Sequence, residues 1–328
     1  MTITPLILGK GRAGLAIAKA FATLNLLSDF EIAPAVWLER GASLEKEKKK
    51  YSNVVLCIAN PHGLHSQAII DGDLARFDAI LCEKPACVNL NEIQKLREVK
   101  TPTAILHGYR QTWGIQTIKN MIGKKLMGEI LAIEGRYWQS SAAEKSLLKV
   151  GSKTWKDDTS LSGEYDTFLD IATHWVDSVS FLYGLKPRQI KGWKTYSNAE
   201  SPHRDTHVQL ALDFPQGGRA LGSISKTYHG ATNQFEVNVI GSKMSASWEF
   251  LRPDEILVGE GRDRKILTRK DSDFGSKQTP YHAMGWLEGY IEIASQLLTE
   301  AFKKEKANYP RLSETLDFLE PMFKTTWN

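Results

Sequence analysis

The sequence predicts an α/β protein of two domains: a doubly wound parallel sheet, then an open-faced, mostly antiparallel β-sheet covered by helices on one side. Three observations carry this. Through about residue 110, short uncharged runs alternate with helical patterns. Beyond residue 188 the pattern changes to alternation of apolar and polar residues, with glycines at turn positions. At 328 residues the chain is also too long for one ordinary domain and suits two.

In the first half, the strand candidates are Leu6–Gly9, Ala35–Leu38, Asn53–Ala59, Asp78–Cys82 and Thr103–Gly108. Helical spacing lies between them at Ala13–Leu24, Leu64–Leu74 and Leu90–Val99. Uncharged strands separated by helices belong to a parallel sheet buried on both faces.

The second half opens with a helix at Ile115–Ile122, a strand at Ile130–Tyr137 and a polar stretch from Gln139 to Ser162. Apolar spacing then predicts one helix over Tyr165–Tyr183. Alternating segments follow at Gln189–Thr195, His207–Phe214, Arg219–Lys226, Phe235–Ile240 and Met244–Phe250, with Gln216-Gly217-Gly218 and Gly241-Ser242 at hairpin turns. Helices over Met284–Lys304 and near Leu312–Phe323 end the pattern. The boundary falls near residue 118, giving domains 1–118 and 119–328. An apolar uncovered sheet face needs a partner, so a homodimer or homotetramer through that face is expected.

Composition narrows the class. Apolar content of 42% and charged content of 24% describe a folded globular protein. A net charge of +4, spread along the chain, is too weak and diffuse for nucleic acid. Cys57, Cys82 and Cys87 are odd in number, show no metal-like spacing, and read as reduced thiols. The N-terminal MTITPLILGKGRAG has no basic region before its apolar stretch, which Lys10 and Arg12 interrupt. The expectation is a cytoplasmic protein with no membrane span.

Gly9-Lys10-Gly11-Arg12-Ala13-Gly14 fits G-x-G-x-x-G between a strand and a helix, the context that makes this pattern a dinucleotide (Rossmann) fingerprint. The first glycine allows the turn, the second lets the pyrophosphate approach, and the third packs helix on strand. The helix N-terminus supplies N–H donors to the anion. Glu39 stands where an acidic residue holds the ribose hydroxyls and favours NAD over NADP, whereas Arg40 beside it could face a 2′-phosphate. The charged run Glu45–Lys50 reads as a solvated helix face, or as a cationic rim near the adenosine end of the cofactor.

Three more stretches accompany this fingerprint. Asn53–Ala59 runs into Asn60-Pro61, with His62 and His65 following; Ile80-Leu81-Cys82 runs into Glu83-Lys84-Pro85; and Asp170-Ile171-Ala172-Thr173-His174 lies in the second half. Their order, together with Gly241-Ser242-Lys243-Met244 ahead of a strand carrying Trp248, resembles the glucose–fructose oxidoreductase / inositol dehydrogenase (Gfo/Idh/MocA) family along nearly the whole chain. The resemblance implies an NAD(P)-dependent oxidoreductase, with Lys84 beside the nicotinamide, a cis Lys84–Pro85 bond, and Asp170 and His174 lining the substrate pocket.

The residues read the same way. Lys84 ends a strand at the carboxyl edge of the sheet, where open α/β folds bind ligands. Asp170 and His174, four apart on one helix, project from one face. A histidine can take a proton from a substrate hydroxyl as hydride leaves the carbon. Outside this motif order, the same histidine would read as a core residue satisfied by Asp170 or the backbone.

Ala59, Asn60, Pro61, His62, His65 and Glu83 fall in loops near the cofactor. The spacing of His62 and His65 could suit a metal, but no further ligands accompany it. Tyr137, Trp138 and Trp155 could stack on a sugar or pack in the core, and His203, Arg204 and His282 are further pocket candidates. Asp177 reads as a structural or helix-solvating residue.

Two departures from the family stand out. Gly163-Glu164-Tyr165-Asp166 replaces its usual glycine cluster, and Ala172 replaces a glycine. The connection from Glu39 to Asn53 is also short, leaving the adenine side more open. The expected activity is hydride transfer between nicotinamide and a carbinol carbon of a sugar, cyclitol or related polyhydroxy substrate. A non-catalytic dinucleotide sensor of the same fold is the alternative.

Overall fold

The structure is a computed structural model that describes residues 1–148, 154–196, 204–269 and 285–328. The expectations for His203 and His282 lie outside the described residues. The chain forms two compact units: Met1–Gln111 with Ser160–Gly163 and Met284–Leu316, and Thr112–Thr159 with Glu164–Ala283 and Asp317–Asn328.

The first unit begins β1 (Thr2–Leu8), α1 (Arg12–Leu27), β2 (Glu31–Ile32), β3 (Val36–Leu38), α2 (Leu44–Lys48) and β4 (Val54–Ile58). A short 3₁₀ turn at His62–Leu64 leads into α3 (His65–Leu74), followed by β5 (Ala79–Cys82), α4 (Leu90–Leu96) and β6 (Thr103–Ile105). All pairings are parallel, in the order β2–β1–β4–β5–β6, with β3 also beside β1. The strand expected at Ala35–Leu38 is thus the second of two short pieces. Pro34, which has no N–H to give to a ladder, lies between them. Residues of β4 and β5 are all buried, as a parallel sheet covered on both faces requires.

The chain continues through α5 (Trp113–Gly123), β7 (Ile130–Trp138), α6 (Ser141–Leu148), α7 (Thr159–Ser162), α8 (Thr167–Asp170) and α9 (Ala172–Tyr183). Then come β8 (Gln189–Thr195), β9 (His207–Asp213), β10 (Arg219–Ser225), β11 (Gln234–Gly241), β12 (Ser245–Glu249), β13 (Glu255–Glu260) and β14 (Asp263–Thr268). The last elements are α10 (Trp286–Leu298), α11 (Leu312–Phe323) and β15 (Thr326–Trp327).

The second unit holds a nine-stranded sheet, β14–β13–β12–β11–β7–β10–β9–β8–β15. It is antiparallel except where β7 meets β10 and β8 meets β15. Along β10, Ala220, Gly222 and Ile224 are buried while Arg219 and Leu221 are exposed, the alternation of a sheet covered on one side. The cover is α9. A Cβ at Gly135 or at Gly222 would come within 2.7 Å of the Trp175 indole, so bare backbone on two paired strands seats that ring.

Two expectations are corrected. The helix expected over Tyr165–Tyr183 breaks at Ile171 into α8 and α9. The Asp205 carboxylate accepts the N–H groups of Asp166 and Phe168, both at 2.7 Å, so α8 is capped from a distant part of the chain. The His174 N–H then reaches back only to Ile171 O, at 3.3 Å. Asp170 and His174 therefore do not share one unbroken helical face. Second, the cut expected at 118 falls after Gln111, and the segment containing α10 returns to the first unit. Ile291, Ala294, Leu297 and Leu298 of α10 share one core with Ile17, Phe21 and Leu24 of α1, a long-range burial that local periodicity does not announce.

Candidate functional site

In the first unit, the chain leaves β1 toward β2 and β3 on one side and returns to β4 on the other. This reversal marks the crevice where open α/β sheets take ligands, at the carboxyl ends of the strands. Gly9 sits there with φ +106°, and a Cβ on it would lie 2.3 Å from Ala59 O. A Cβ on Gly14 would lie 2.0 Å from Gly9 O. Gly11, by contrast, faces open space, with nothing within 4 Å of its would-be Cβ. It precedes α1, whose first turn has no acidic residue and no side-chain cap. Free N–H donors thus face a bare backbone, as a pyrophosphate requires.

Across the crevice, Asn60 Oδ1 is buried with no protein partner among the described residues, an acceptor suited to a ligand hydroxyl. Glu39 follows β3, and its Oε1 accepts from Lys10 Nζ at 2.6 Å. Arg12 and Arg40 are exposed nearby in sequence, and Ala13 is half-buried. These residues fit a dinucleotide.

The loops after β4 and β5 are tied by His65, with Nδ1 2.8 Å from Pro85 O and Nε2 2.8 Å from Asn60 O. Both ring nitrogens of His65 thus face carbonyls, which leaves no pair of His62 and His65 for a metal. Burial pushes the His65 pKa down; hydrogen bonds to the two carbonyls oppose this, and the Lys84 charge reinforces it. His62 and Glu83 are also buried, and Ala59 and Pro61 half-buried. The Glu83 carboxylate accepts from Tyr290 Oη of α10 and from the Lys84 N–H. Lys84 is half-buried, and the Lys84–Pro85 bond is cis.

In the second unit, charged residues gather on α8. Lys226 Nζ, just beyond β10, lies 2.6 Å from Asp166 Oδ1 and 2.6 Å from Asp170 Oδ2. Lys156 Nζ reaches the same Asp170 oxygen at 2.7 Å. Arg204 donates to Lys156 O and Tyr165 O and sits 3.9 Å from Asp166. Burial alone would lower the Lys226 pKa, but the facing charges of Asp170 and Asp166 outweigh it and raise the value.

Half-buried His174 meets the edge of Tyr137, ring centroids 6.1 Å apart. Tyr137 itself is buried, donating to Asn233 and accepting from Gln139, so it backs His174 rather than offering a ring face to a sugar. Trp138 points to the opposite face of the sheet, stacked on Tyr228 with Arg136 over its ring. Trp155 is half-buried beside Lys156. Asp177 is fully buried and so does not solvate its helix.

The family model of the GFO/IDH/MocA C-terminal domain matches residues 115–247. That stretch is similar to the C-terminal domain of the Gfo/Idh/MocA family.

Levoglucosan dehydrogenase of Pseudarthrobacter phenanthrenivorans is 26% identical over 274 residues, covering 73% of this chain and 68% of that one. A solved levoglucosan dehydrogenase in complex with NADH and L-sorbose superposes with TM-score 0.85 at 19% identity, covering 98% of this chain and 96% of that one. An inositol dehydrogenase homolog from Azotobacter vinelandii, complexed with NAD+, gives TM-score 0.82 at 15% identity and covers 98% and 95%. At these identities the solved structures establish a shared fold.

The sequence pattern did not single out Lys10, Lys156, Asp166, Lys226 or Tyr290. For Asp166 a signal existed: it stands four before Asp170. Lys226 had a weaker one, as a charge ending the otherwise uncharged run Leu221–Ser225.

Proposed function

We propose that this protein is an NAD-linked oxidoreductase that moves hydride between nicotinamide and a carbinol carbon of a sugar or cyclitol. The observation that carries the reading is the crevice at Gly9, Gly11 and Gly14, in a chain that also keeps Lys84, Asp170 and His174. Its relatives support the substrate class, since levoglucosan dehydrogenase and an inositol dehydrogenase homolog are named for such compounds.

The bound dinucleotide supplies a two-electron hydride acceptor at nicotinamide C4. The residues of the chain do the rest. Gly9–Gly14 and the start of α1 bind the pyrophosphate, and Glu39 holds the adenosine ribose. Lys84 is assigned to the nicotinamide end. Asp170 accepts a hydrogen bond from a substrate hydroxyl and orients it. His174 takes the proton of the hydroxyl being oxidised, so that the carbinol becomes a carbonyl as hydride departs. A non-catalytic sensor would have no use for Lys84, Asp170 and His174 together.

Glu39 favours NAD over NADP, because a carboxylate repels a 2′-phosphate. The face of the nine-stranded sheet opposite α9 presents Leu221, Trp193 and Ile266, each at least half exposed among the described residues, and a second copy of the chain would cover it in a homodimer or homotetramer. Three free, buried cysteines suit a reducing cytoplasm. Titration with NADH and NADPH, followed by nicotinamide fluorescence, tests the cofactor. Sedimentation tests the assembly. Binding of neither nucleotide would remove the basis of the whole reading.

A further inference from the structure

We infer, resting on the substrate role given to Asp170 above, that Lys226 is a positioning residue that holds the Asp170 carboxylate aimed as a pure hydrogen-bond acceptor. Asp166, the N-cap residue of α8, and Asp170, its last residue, are four apart, a spacing at which like charges repel. A protonated carboxyl donates where a carboxylate accepts, so a cation held against a buried carboxylate such as Asp170 favours the accepting form. Lys226 sits between them with 2.6 Å contacts to both.

Its own placement is fixed by the backbone, since its N–H donates to Thr206 O and its C=O accepts from Ala142. The side chain is only 6% exposed, so water can neither replace nor screen it. Lys156, on the same Asp170 oxygen, is 47% exposed and sits in a more screened setting. Among the described residues, the other charged or titratable groups near this pair are Arg204 and Asp205, both toward Asp166, and His174 four residues on from Asp170.

The test uses the full chain carrying carbon-13 aspartate, with the Asp170 carboxyl signal identified by its loss in Asp170→Asn. Lys226→Met is expected to raise the titration midpoint of Asp170 by about one pH unit or more. Lys156→Met should move it less, and Lys226→Arg should restore most of the wild-type behaviour. If Lys226→Met folds poorly, Lys226→Met/Asp166→Asn removes one cation and one carboxylate together and should bring the midpoint back toward wild type.

With a polyol that the wild type oxidises, Lys226→Met should lower kcat/KM by roughly 10- to 100-fold, chiefly through KM, at unchanged NADH affinity. An unmoved midpoint in Lys226→Met, or an equal shift in Lys156→Met, would overturn the assignment. Should the wild type oxidise no polyol, the enzyme reading fails, while the carboxyl titration still decides the role of Lys226.

Discussion

The Nδ1 of buried His65 lies 2.8 Å from the carbonyl oxygen of Pro85, joining the loop after β4 to the cis Lys84–Pro85 turn. Its Nε2 faces Asn60 O at the same distance. A neutral ring donates to only one of the two carbonyls, and burial, the leading cause, holds its pKa below the ordinary 6.5.

The sign of the pH effect follows. Just below that ordinary value, the unfolded chain binds a proton that the folded chain does not. Stability therefore falls as pH drops through this window, down to the folded midpoint, and is insensitive above it. His107, held lower still by burial and then by Arg110 and Lys84, acts in the same direction. Thermal midpoints at about pH 7.5 and about pH 5.5 should differ less in His65→Asn than in the wild type. Equal differences in both would remove His65 as a contributor.

The three fingerprint glycines should fail in different ways. Gly14→Ala drives a methyl into Gly9 O and should cost about 1–3 kcal/mol of stability or more, as overpacking does. Gly11→Ala meets no neighbour within 4 Å and should leave the thermal midpoint nearly unchanged while weakening NADH binding. Melting curves and fluorescence titrations of the two variants separate packing from ligand approach. Intact NADH binding in Gly11→Ala would show that the pyrophosphate does not pass this backbone.

Glu39 and Lys10 form an exposed pair 2.6 Å apart, which contributes about 0–1 kcal/mol to stability. The value of Glu39 should therefore show in selectivity. Glu39→Ala should shift the ratio of NADPH to NADH affinity about tenfold toward NADPH, on the scale of one close charge contact, without lowering the thermal midpoint. An unchanged ratio would mean that the ribose hydroxyls are read elsewhere.

What the sequence could show follows how local each cause is. The fingerprint was legible because Gly9, Gly11 and Gly14 act through the turn and helix that contain them, and Glu39 because it ends a short strand. The broken helix was not, because the cap on α8 comes from Asp205, beyond α9 and β8 in the chain. Lys226 meets Asp170 only when the end of β10 is placed beside α8, 56 residues away. Tyr290 reaches Glu83 across 207 residues because α10 joins the core of the first unit. For Tyr137 the sequence left sugar stacking and core packing both open, because strand parity, which places it on the buried face of β7 beside His174, depends on which side of the sheet is covered.

The proposed reaction is oxidation of a polyol by NAD+, with His174 taking the hydroxyl proton. The most direct measurement follows nicotinamide absorbance while wild type and His174→Ala meet NAD+ with levoglucosan or myo-inositol, with NADH affinity measured for both. Reduction of NAD+ by the wild type is expected, with turnover lower by roughly 10²- to 10⁴-fold in the variant, the scale of losing a general acid–base group, at equal NADH affinity. Equal turnover in the two proteins would contradict it.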